Sequence, residues 1–117
     1  MAIGVPATHI HHIFPRSVFT EIADYLENLI ALTAGQHLQE AHPNGNTQIV
    51  NRDYQYLCLI SKTDSIKRNI LGDHPTPVIY SFDYFIHVLA VGLEKPQFEG
   101  IAENDFEGVL NQIEVFY

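Results

Sequence analysis

The chain has little that would cross-link it and little that would bind it to nucleic acid by charge. Of its 117 residues one is cysteine and none is tryptophan, and 6 Lys and Arg stand against 14 Asp and Glu. The single cysteine, Cys58, excludes an intramolecular disulfide and a zinc knuckle built on cysteine pairs, so a bound metal has to use His, Asp, Glu or Asn. The formal net charge of −8 argues against unaided, non-specific nucleic-acid binding. No apolar run approaches the ~18 residues of a membrane span, and the first residues lack the basic and apolar regions of a signal peptide. The expectation is a soluble, cytoplasmic protein with no membrane partner.

What is present suits one domain over residues 1–117, since 46% hydrophobic and 17% charged content is ordinary for a packed globule. Charge is distributed unevenly. Residues 1–45 hold Arg16 against Glu21, Asp24, Glu27 and Glu40, residues 46–72 are net basic through Arg52, Lys62, Lys67 and Arg68, and residues 73–117 hold Lys95 against eight acids. Histidine is uneven too: His9, His11, His12, His37 and His42, five of the seven, precede residue 43. The chemistry is therefore expected near the start of the chain.

Hydrophobic patterning sets the order of elements. Residues 8–14 read as a short strand ended by Pro15, residues 17–25 as a loop or a single helical turn, and residues 28–32 as a second strand. Thr33 and Gln36 form a capping box that starts a helix at Ala34, which stops near Pro43 and the Asn44-Gly45 turn. Residues 52–70 read as a helix capped by Asn51. Ser81 caps an apolar helix that Pro96 ends, and Asp105 begins a last one. The fold class is α+β, with an all-helical extension over residues 51–117.

Metal-assisted cleavage of a phosphodiester needs a cation to offset charge on the phosphate, and a base that titrates near neutrality to deprotonate the attacking water. Histidine serves both purposes. The pattern His11-His12-x-x-Pro15, then Asn28-Leu29-x-x-Leu32-Thr33-x-x-x-His37, resembles the HNH motif of the ββα-metal, or His-Me finger, nucleases. The match spans residues 8–43, about a third of the chain.

That resemblance implies a ββα-metal motif and a DNA endonuclease. His11 stands at a metal-ligand position, His12 at the general-base position, Asn28 at the asparagine that orients the base and its loop, and His37 at the helix ligand. The family's cofactor is one divalent ion, magnesium or manganese most often and zinc or nickel in some members. Its products are a 5′-phosphate and a 3′-hydroxyl.

Two departures stand out. Colicin-type relatives carry a further histidine four residues after the helix ligand, whereas this chain has Ala41 there and His42 one place later. Five residues turn a helix by ~500°, about 140° off the ligand face, so His42 is a third ligand only if the helix ends first, and otherwise a helix-end residue. Basic surface is also sparse: Arg16 lies by the motif, and Arg52, Lys62, Lys67 and Arg68 are the next candidates for DNA contact.

Outside the motif, His9 shares a strand face with His11, while His74, His87 and Cys58 read as structural. The expected function is an HNH endonuclease of the restriction or phage-defence type. Target recognition would come from a partner chain, a homodimer mate or a recognition domain outside this sequence. Two rivals remain: an inactive HNH-fold interaction module with a structural metal, and an acidic regulatory protein that binds a basic partner through residues 73–117.

Overall fold

The computed structural model describes residues 9–32, 51–72 and 77–117. The helix expected from Ala34, with His37 and His42, lies outside the described residues, as does His74.

β1 (His9–His12) and β2 (Leu29–Leu32) form an antiparallel pair in which His11 faces Ile30 and His12 faces Leu29. One further backbone bond, Ile13 N to Asn28 O at 2.8 Å, extends the pairing. β1 is shorter than the strand expected over 8–14. Ile13 and Phe14 are both fully buried, whereas consecutive residues of a regular strand point to opposite faces. The chain bends after His12 so that both enter the core. The Pro15 carbonyl then accepts from Val18 N and Phe19 N at 3.1 and 2.9 Å, and two single 3-10 turns, Thr20–Ile22 and Leu26–Asn28, return the chain to β2.

Among the described residues three helices follow, each capped as the sequence predicts. Asn51 Oδ1 accepts from Tyr54 N at 3.0 Å ahead of α1 (Arg52–Leu71), and Ser81 Oγ accepts from Tyr84 N at 3.3 Å ahead of α2 (Phe82–Gly92). Asp105 Oδ1 accepts from Gly108 N at 3.0 Å ahead of α3 (Phe106–Phe116). Each such bond satisfies an orphan donor of the first turn and is worth about 1 kcal/mol. α2 ends in a Schellman motif: Lys95 N donates to Ala90 O and Glu94 N to Val91 O, with Glu94 left-handed at φ 56°.

α2 is the most apolar helix and lies at the centre of the core, with Phe85, Val88 and Leu89 fully buried. α3 adds Phe106, Val109 and Ile113, the turn Pro96–Gly100 adds Phe98, and α1 adds Cys58, Leu59 and Ile66. Ile13, Phe14 and Ile22 join the same cluster, so the loop after β1 is anchored in the helical core. Gly92 makes room for that anchor, because a Cβ there would meet the Phe14 ring at 2.4 Å. No helix among the described residues is long and apolar enough to cross a membrane.

Candidate functional site

The loop of residues 13–28 is closed by one side chain. Asn28 is fully buried; its Oδ1 accepts from Phe14 N at 2.9 Å, and its Nδ2 donates to Phe14 O at 3.1 Å and Ile22 O at 3.4 Å. A side-chain amide is suited to this because it carries an acceptor and two donors in one plane. It gives the bent chain at Phe14 a substitute for a strand partner, in a place where an unpaired backbone group has no water to turn to.

His12 sits at the mouth of this loop, half-buried at the end of β1. Burial first, and the Arg16 guanidinium second, hold its imidazole below the ordinary value of 6.5; a hydrogen bond to the Ala23 backbone and the Asp24 carboxylate pull the other way. At neutral pH the ring is therefore mostly unprotonated and available as a base.

The surrounding contacts reinforce the position. Gln55 of α1 donates from Nε2 to Ile13 O at 3.0 Å, and the Tyr117 hydroxyl donates to Gln55 Oε1, so the residue after His12 is tied to α1 and to the chain's last residue. The buried Glu27 accepts from Ser81 N at 2.8 Å and ties the loop to the start of α2. Neither Gln55 nor Glu27 stands out in the sequence, since a lone polar residue on a helix or in a turn carries no signal of its partner.

His11 is fully buried, and strand alternation sets its side chain on the face opposite His12. His9 is partly buried on the face of His11. Among the described residues no three His, Cys, Asp or Glu side chains converge as a metal-binding group, and the remaining expected ligands, His37 and His42, lie outside them. The expected ligands are imidazoles, a donor set that suits nickel or zinc better than magnesium or manganese.

The five bases expected to meet DNA divide. Arg16 and Lys67 are exposed, with neither an ion pair nor a hydrogen bond among the described residues. Arg68 pairs with Asp64 at 3.0 Å. Arg52 is exposed; it donates to Phe116 O at 2.9 Å and lies over the Phe116 and Tyr117 rings at 5.0 and 4.8 Å. Lys62 is buried, with its ammonium on the Tyr80 hydroxyl.

Of the residues read as structural, Cys58 is buried, and burial pushes its thiol up to about 12, which leaves it inert at neutral pH. His87 lies between Glu21 at 3.4 Å and Glu99 at 4.0 Å, with its ring against Tyr25. Compared with known proteins, the chain matches no family model, no curated protein and no solved structure.

Proposed function

We propose that the chain is an HNH-type endonuclease that hydrolyses DNA phosphodiester bonds with one divalent metal ion. The observation that carries this reading is the pairing of a poised base with its brace. His12 is half-buried at the end of β1 and held below its ordinary titration point, by burial first and by Arg16 second. The loop behind it is closed by the three hydrogen bonds of Asn28.

His12 takes a proton from water as the water oxygen attacks phosphorus; the bond from phosphorus to the 3′-oxygen breaks, and that oxygen is protonated by solvent. Asn28 keeps the base and its loop in place and touches neither substrate nor water, so it is a positioning residue. Arg16, beside His12, contacts a neighbouring phosphate. The ion, which when bound would offset charge on the phosphate and the departing oxygen, would be held by His37, with His42 if the helix ends before it, and by His11 only if the strand turns that side chain from its buried face toward the side of His12.

A second reading, an inactive module with a structural metal, draws support from the full burial of His11 and from the engagement of Arg52, Lys62 and Arg68 elsewhere. Plasmid nicking with Mg²⁺, Mn²⁺, Ni²⁺ or EDTA, run beside metal analysis of the purified protein, separates the two. Metal-dependent nicking supports the nuclease. Stoichiometric metal without nicking supports the inactive module, and neither metal nor nicking leaves the acidic regulatory protein.

A further inference from the structure

Lys62 is the one charged residue of α1 that the fold takes inside. It is 6% exposed, and its Nζ lies 2.8 Å from the Tyr80 hydroxyl and 4.3 Å from the centre of that ring. No carboxylate among the described residues pairs with it. Lysine is almost never fully buried without a counter-charge, because removing an ammonium from water is expensive and a neutral hydroxyl offsets only part of that loss.

The ammonium is not enclosed in packed protein. Lys62 and Tyr80 line a groove of about 480 Å³ between β2 and α1, within the size range of small-molecule sites. Its other walls include the apolar Ile30, Leu32, Leu57 and Cys58 and the hydroxyl-bearing Tyr54 and Ser61, while the Ser65 hydroxyl donates to Ser61 O at 3.1 Å. An ammonium has three donors, of which Tyr80 takes one. The Tyr80 oxygen accepts that bond and so retains its own proton to donate. Among the described residues, two ammonium donors and the phenol proton thus have no further partner, and they stand side by side at the groove.

We propose that this groove binds a small organic oxyanion, with its charged head on Lys62 and Tyr80 and its apolar body against β2 and α1. With Lys62 only 6% exposed, the groove is the way by which a small molecule reaches its ammonium. Carboxylate and phosphate-monoester heads share the required chemistry. The site makes no use of His12 or Asn28 and is independent of the nuclease reading.

The test is titration of the whole chain with benzoate, phenyl phosphate, inorganic phosphate and neutral benzyl alcohol, followed by calorimetry and by the side-chain NMR signal of Lys62. At least one aromatic anion should bind and shift the Lys62 signal, with benzyl alcohol and inorganic phosphate at least about tenfold weaker. Preference for benzoate or for phenyl phosphate identifies the head group. Lys62→Met, which keeps the stem and removes the charge, should weaken the anion by at least about tenfold, and Tyr80→Phe should weaken it less. If Lys62→Met does not fold, the wild-type Lys62 signal and Tyr80→Phe decide the matter. The proposal is overturned if neither aromatic anion binds, if benzyl alcohol binds as well, if inorganic phosphate binds as tightly as phenyl phosphate, or if Lys62→Met binds like the wild type.

Discussion

Replacing Asn28 tests how the loop behind His12 is held. Asn28→Ala leaves the Phe14 N–H and C=O without their partners in a place closed to water, and weakens the tie to Ile22 O. An orphaned buried group costs about 1–3 kcal/mol. Two of them and a small cavity amount to about 3–5 kcal/mol, a large share of the ~5–15 kcal/mol that holds a domain together. Asn28→Asp is the sharper variant. One carboxyl oxygen can still accept from Phe14 N, but the other faces the Phe14 and Ile22 carbonyls, so the buried group resists ionising and its titration point rises. The folded variant then keeps a proton that the unfolded chain releases near pH 3.9. Its stability is greatest below that pH and falls as pH rises through the raised titration point, by about 1.4 kcal/mol for each pH unit between the two. Urea unfolding of the wild type and both variants at pH 4.5 and pH 8 provides the measurement. The stability gap between wild type and Asn28→Asp should widen at pH 8, while that for Asn28→Ala stays constant. Parallel profiles for Asp, or a loss below about 1 kcal/mol for Ala, would refute the hydrogen-bonding account.

Three further outcomes are expected. Arg16→Ala removes a cation that depresses the His12 titration, so the acid limb of the cleavage profile should move to higher pH; Asp24→Asn should move it lower, and metal affinity should change in neither. Gly92→Ala drives a methyl group into the buried Phe14 ring and should destabilise by about 1–3 kcal/mol in thermal unfolding, despite alanine's better helix propensity. Glu94→Gly relieves a left-handed residue at the end of α2 and should stabilise by about 1 kcal/mol in the same assay.

What the sequence discloses is local. Asn51, Ser81 and Asp105 are legible because a helix cap is set within three residues of itself. The two strands are legible as apolar runs between turn signals, although the bend at Ile13 and Phe14 is not, since it depends on a side chain fourteen residues away. Asn28 is found only through its place in a pattern, not by its type. The burial of Lys62 is not legible in the sequence, because a basic residue in a helix is ordinarily solvated and its partner Tyr80 stands eighteen residues on. Leu57, an apolar residue of α1, is 61% exposed where it lines the groove. The Gly92 and Phe14 contact, like Gln55 on Ile13, is a tertiary fact with no signature in spacing.

The central claim is that His12 is the base of a metal-dependent nuclease. Its most direct test is the rate at which supercoiled plasmid is nicked in Mn²⁺ by the wild type and by His12→Ala, both shown to be folded. The account predicts nicking by the wild type, abolished by EDTA, and a rate ~10²–10⁴-fold lower for His12→Ala with metal affinity retained. Equal rates for the two proteins, or no metal-dependent nicking by the wild type, would contradict it.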